Sequence, residues 1–258
     1  QIYTYSPTFK LLAKRKFKPE FPLEYVMALD ADNYVFTYSF IWTDQEVSFV
    51  DLKNQQAVNT NYEGTISGNS MAHACFYHIG ERFYFIPDGL NYYFYQIDTK
   101  EKKLVPMMYL DFGDAEVKAE GLPGQAGGKR TDSDEERREI TKDATERYQY
   151  LKKSNNMLPL LKFFNDDYVY AYLAKTDRGY GSHFMYNRKQ KKGFLIKEGE
   201  PFIMYPCFGI VDNVLLSICE PDLVHRVVDR KLMSSEEIRK MEALAEDDNP
   251  VILKYYLK

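Results

Sequence analysis

Histidines, cysteines and turn carboxylates are the side chains in this sequence most able to do chemistry. His73 and His78 are five residues apart on one expected strand. Side chains alternate across a strand, so the two rings point to opposite faces and do not share a metal ion. Ser182 and His183 are neighbours on another expected strand and part in the same way, so they make no nucleophile–base pair. No Gly-x-Ser-x-Gly turn is present. Cys75, Cys207 and Cys219 show neither CxxC nor zinc spacing and lie within apolar stretches, where a thiol behaves as a small buried hydrophobe. Cys207 and Cys219 flank one expected hairpin, so a disulfide between them stays open. Asp30, Asp32, Asp166, Asp167 and Asp212 sit at turns, where a carboxylate caps local backbone amides. A carboxylate pair for sugar hydrolysis is not singled out. These patterns indicate no catalytic residue, metal or cofactor.

Aromatic residues in loops give the stronger hint. Trp42, the one tryptophan, lies with Asp44 in the loop Phe40-Ile41-Trp42-Thr43-Asp44. Arg178 and Tyr180 lie in the equivalent loop Thr176 to Gly181. An aromatic ring beside Arg and Asp suits stacking on, and hydrogen bonding to, a sugar or a peptide. The other reading is that Trp42 packs over a sheet edge as a plug.

Positioning these loops requires strands, and the strands repeat. Four turn-and-strand segments align: Asp32-Asn33-Tyr34-Val35-Phe36, Glu81-Arg82-Phe83-Tyr84-Phe85, Asp166-Asp167-Tyr168-Val169-Tyr170 and Asp212-Asn213-Val214-Leu215-Leu216. They recur at intervals of 49, 85 and 46 residues, the long one holding an insertion. A forty- to fifty-residue unit of four short strands predicts an all-β fold, a six-bladed β-propeller. Strands are expected at 1–6, 10–17, 23–29, 33–40, 46–52, 56–61, 71–78, 82–87, 92–98, 103–111, 158–164, 168–174, 182–187, 193–197, 202–207, 213–219 and 250–257. That count matches about the C-terminal four and a half blades of a six-bladed ring. A five-bladed ring closed by the N-terminal hairpin would overfill its last blade by one strand. Residues 1–258 are read as one partial domain, beginning inside a folded pattern as a fragment or processed product would.

Two insertions interrupt the repeat, at 113–156 and 220–249. Each carries a capping box, Ser133 with Glu136 and Ser234 with Glu237. Apolar stripes follow: Ile140, Ala144, Tyr148 and Leu151 in the first, Ile238, Met241, Leu244 and Ala245 in the second. In a ring both insertions fall on one face, the usual ligand face. They then either partly cap the channel mouth or pad the rim.

A net charge of −4 with no basic stripe argues against nucleic acid. The run Arg188-Lys189-Gln190-Lys191-Lys192 falls at a hairpin turn and reads as solvated. No apolar run is long enough to span a membrane, and no signal peptide opens the sequence.

The segment Tyr92 to Asp98, followed by Tyr109-Leu110-Asp111-Phe112-Gly113, resembles the strand, turn and strand ending in Asp-Phe-Gly of the NHL-like, six-bladed propeller proteins of gut Bacteroidota. Asp247-Asp248-Asn249-Pro250-Val251-Ile252-Leu253 is similar to their closing strand. Many members carry only a domain-of-unknown-function label. The resemblance implies a secreted or lipid-anchored protein, periplasmic, outer-membrane or extracellular, whose anchoring Cys would lie upstream of Gln1. It carries over no catalytic residues. The expected function is a non-enzymatic binding module of the cell envelope, for a glycan, a small molecule or a partner protein. The alternative is a propeller-type lyase or hydrolase at the channel mouth. Mostly apolar first strands, such as Tyr25-Val26-Met27-Ala28 and Leu158-Pro159-Leu160-Leu161, favour binding.

Overall fold

Three hairpin turns of one design set much of the strand pairing. Asp51 Oδ1 accepts from the backbone N–H of Lys53 and Asn54, both at 2.9 Å. Asp98 Oδ1 accepts from Lys100 and Glu101, both at 3.0 Å, and Asn187 Oδ1 accepts from Gln190 at 2.9 Å. Four residues after each anchor, Gln55, Lys102 and Lys191 adopt φ of 53°, 51° and 54°. Each turn thus closes with a left-handed residue, and the next residue pairs with the anchor: Asp51 with Gln56, Asp98 with Lys103, Asn187 with Lys192.

The structure is a computed structural model that describes residues 2–17, 23–38, 46–62, 74–87, 91–118, 122–123, 133–151, 153–174, 181–197 and 204–257. Its strands are β1 Ile2–Tyr5, β2 Leu11–Arg15, β3 Leu23–Ala28, β4 Asn33–Tyr38, β5 Glu46–Asp51 and β6 Gln56–Asn61. Then come β7 Phe76–Ile79, β8 Arg82–Phe85, β9 Tyr93–Asp98 and β10 Lys103–Tyr109. After α1 (Asp134–Leu151) follow β11 Leu158–Phe164, β12 Tyr168–Ala174, β13 Gly181–Asn187, β14 Lys192–Lys197, β15 Cys207–Val211 and β16 Val214–Cys219. Short helices α2 (Val224–Val227) and α3 (Ser235–Glu242) precede β17 Val251–Tyr256.

These strands form five separate antiparallel sheets: β1-β2, β3-β4-β5-β6, β7-β8-β9-β10, β11-β12-β13-β14 and β15-β16-β17. None of them closes or curls on itself, which overturns the six-bladed propeller; the chain is all-β without that ring. The repeat reports a recurring four-stranded unit, a local property of hairpin sequences, and a local period does not dictate closure. With no ring there is no channel mouth for the insertions to cap. Most strand positions follow the sequence closely; the strand expected at 71–78 is described only at Phe76–Ile79, and one other is displaced. The strand expected at 202–207 lies at Cys207–Val211, because Asp212 (φ 51°) and Asn213 make a two-residue turn directly into β16.

The chain divides into two compact units. The first holds residues 1–69, 74–110 and 119–148; the second holds 70–73, 111–118 and 149–258. In the first, the middle strands β4 and β5 of the sheet β3–β6 are covered on both faces, so their burial is continuous rather than alternating. Val35, Val47 and Phe49 pack with Phe85, Tyr95 and Ile97 of the next sheet. Tyr34, Phe36, Val50 and Leu52 pack with Ile2 and Phe17 of the N-terminal hairpin. Phe17 stacks on Phe36 at 5.1 Å, and Arg15 pairs with Asp32 at that hairpin's edge. In the second unit, β11 and β12 bury Leu158, Leu161, Phe163, Tyr170 and Leu173.

Ser133 Oγ accepts from the Glu136 amide at 3.4 Å, one arm of the expected box at α1. Of the stripe expected on that helix, Leu151 is fully buried and Ile140 is half-buried. Cys75, Cys207 and Cys219 are all buried and free, so the disulfide left open between Cys207 and Cys219 does not form. Cys207 pairs with Ser217, whereas Cys219 pairs across the other edge of β16 with Val251.

Two measurements follow from this packing. A left-handed conformation costs an L-residue about 1 kcal/mol, part of which glycine's larger chain entropy offsets. Lys191 is exposed, so Lys191→Gly should raise stability in a denaturant melt by about 0.5 kcal/mol, with no gain from Lys191→Ala. A thiol reagent without reductant should find no reactive cysteine in the native chain and all three after unfolding. A count of one after unfolding would reinstate a disulfide.

Candidate functional site

Each of the four residues picked out as a ligand-binding set, Trp42, Asp44, Arg178 and Tyr180, lies outside the described residues, as does His73. His78 is exposed and stacks on Phe83 with ring centroids 4.6 Å apart. Among the described residues no cluster of three His, Cys, Asp or Glu side chains is placed to hold a metal ion. The described structure offers two other constellations, both in the second unit.

The first is a buried polar relay. Tyr170 on β12 and His183 on β13 are both fully buried. His183 Nε2 lies 2.8 Å from the Met204 carbonyl, which only accepts, so Nε2 carries the proton. In that neutral tautomer Tyr170 Oη–H donates to His183 Nδ1 at 2.8 Å. Tyr170 Oη in turn accepts from the Cys207 amide at 3.0 Å. Every partner is satisfied, and the chain of bonds ties β12 and β13 to the start of β15. Burial raises the Tyr170 phenol far above its ordinary range. Burial also pushes the Cys207 thiol up to about 12. A protonated thiol shut off from solvent is not a nucleophile. The relay fastens one sheet to the next.

The second constellation is a cleft in the segment between β16 and β17, the insertion expected at 220–249. Pro221, suited to the first helical position, starts a 3₁₀ turn at Pro221–Leu223 that runs on into α2. Val224 and Val227, three apart, are buried with Cys219 and Leu253. This turns His225 and Arg226 outward, where both are exposed. A second 3₁₀ turn, Arg230–Leu232, is capped by Asp229, whose side chain accepts from the Lys231 amide. The expected capping box then forms in full: Ser234 Oγ accepts from the Glu237 amide at 3.2 Å, and Glu237 accepts from the Ser234 amide at 2.7 Å. Hydrogen bonds from Ser234 hold the Glu237 carboxyl below its usual range. Of the stripe expected here, Met241 and Leu244 return to the same apolar cluster as α2, while Ile238 is half-buried and Ala245 is exposed.

Between α2 and α3 remains a cleft of about 550 Å³. Pro221, Met241 and Leu244 supply its apolar surface. Asp222, His225, Arg230, Glu242 and Glu246 stand at its polar margin, with Arg230 paired to Glu242. This size suits a small molecule or a peptide side chain with its neighbours. Sequence reading named the insertion and its stripe but not the cleft. The signal was present in Glu242 and Glu246, interleaved with the stripe, and in Asp222 and His225 ahead of it. Only the fold of the segment brings them to one concavity.

No family model matches this chain, and no curated protein does. Among solved structures, the chain resembles the crystal structure of a "Putative exported protein" from Bacteroides fragilis NCTC 9343. The TM-score is 0.62 at 14% identity, over 99% of this chain and 71% of the other. Likeness at that identity speaks to the fold alone. It names no NHL-like, domain-of-unknown-function or lipoprotein family. No helix among the described residues is long and apolar enough to cross a membrane.

The relay can be tested by deletion. Tyr170→Phe removes one oxygen, and with it the bonds to His183 Nδ1 and from the Cys207 amide in the core. An orphaned buried group costs about 1–3 kcal/mol. Denaturant melts should therefore show a loss of about 2 kcal/mol or more, while Tyr186→Phe, at a half-buried position of β13, should show little. Equal losses would assign the effect to aromatic packing alone.

Proposed function

We propose that this chain is a non-enzymatic binding module of an exported protein, and that it meets its ligand at the cleft between α2 and α3. The observation that carries the reading is the cleft itself. It joins an apolar floor, fixed to the core through Met241 and Leu244, to a margin of ionisable groups open to solvent. The relay around Tyr170 offers no comparable access, since each of its members is buried. An extracytoplasmic location rests on likeness to the B. fragilis protein and to its printed name.

Ala245 lines the cleft and is exposed, so Ala245→Trp should fill it from the margin without disturbing the core. With ¹³C-methyl methionine, a ligand for this site should move the Met241 resonance, and Ala245→Trp should abolish that response at an unchanged melting temperature. A glycan or protein ligand that binds the variant as tightly as the parent would place the site elsewhere. Fractionation of the producing cell should find the chain in the periplasm, outer membrane or medium. Recovery with the cytosol would overturn the location.

A further inference from the structure

We infer that the cleft receives a cationic side chain, a lysine or arginine of a partner polypeptide flanked by apolar residues; this rests on the cleft being the binding site. Charge and shape both point there. Of the groups at the margin, Arg230 is committed to Glu242. Asp222 and Glu246 make no ion pair among the described residues. After the Arg230–Glu242 pair is set aside, the margin holds two carboxylates and the His225 imidazole.

The field is also felt outside the cleft. Burial first, then Asp222 and Glu220, push the Cys219 thiol up to about 11. Burial first, then Cys219, Asp222 and Glu220, raise the Tyr205 phenol, with Arg226 acting against them. Asp222 and Glu220 add to burial in both cases, and neither group lines the cleft.

The apolar surface decides what kind of cation fits. Lysine and arginine lay an aliphatic stem along apolar surface and keep the charged head in water or on a carboxylate. Met241, Leu244 and Pro221 offer that surface, and Asp222 and Glu246 take the head. A bare metal ion would leave the apolar surface unused, and an anionic sugar or phosphate would meet repulsion. The cleft volume of about 550 Å³ exceeds one stem, leaving room for the apolar neighbours of the basic residue.

The test titrates acetyl-Leu-Lys-Leu-amide and acetyl-Leu-Glu-Leu-amide into the full chain with ¹³C-methyl methionine, Met241 being assigned by Met241→Leu. The lysine peptide should shift Met241 saturably, and the glutamate peptide should not. Exposed charges are screened by salt, so affinity should fall about threefold between roughly 50 and 300 mM NaCl. Asp222→Asn with Glu246→Gln, both at exposed positions, should weaken binding about tenfold without changing the melting temperature. Equal response to both peptides, or no response to the lysine peptide at millimolar concentration, overturns the inference. A neutral oligosaccharide that moves Met241 while the lysine peptide stays silent overturns the charge but keeps the binding cleft. Silence toward every ligand overturns both.

Discussion

Strand register is the constraint on which this chain depends. A slip of one residue sends every side chain of a strand to the opposite face. Here the middle strands are buried on both faces, so a slip would move Val35 out of one cluster and Phe36 out of another. The Asx-anchored turns at Asp51, Asp98 and Asn187 make the slip costly, since each fixes its hairpin by side-chain hydrogen bonds to backbone amides. Three of the five sheets carry such a turn between their last two strands.

Polar groups inside the second unit obey the same logic at longer range. Apolar packing between sheets tolerates small shifts, whereas a hydrogen-bonded chain does not. Tyr170, His183, the Met204 carbonyl and the Cys207 amide align only when β12, β13 and the start of β15 are each in place. The relay therefore specifies one arrangement of strands drawn from two sheets.

Sequence reading recovered what is local and lost what is assembled. Strands β11 and β12 fall where the aromatic runs and turns put them, and the Ser234 box caps α3 as its spacing required. The repeat period was read one level too far: it shows four-strand units, while closure depends on contacts that no hairpin encodes. The relay was invisible because Ser182-His183 was judged as a sequence pair, and the partners of His183 come from β12 and from Met204. The cleft was invisible for a related reason. Its members lie on two helical turns whose packing on Cys219 and Leu253 creates the concavity. Trp42 and Tyr180, chosen for their loops, lie outside the described residues.

The cleft rides on the connection from Glu220 to Pro250, which leaves β16 and returns as its neighbour β17. The entropy of closing a loop grows only with the logarithm of its length. Roughly thirty residues therefore cost the sheet only about 2 kcal/mol more than a four-residue turn would. β16 and β17 pair from Val214 with Tyr256 to Cys219 with Val251 across that connection. Such a site is cheap to graft and cheap to rewrite. Homologues should keep the two strands and the buried Val224, Val227, Met241 and Leu244 positions, and a recognition surface can diverge at the exposed positions between them.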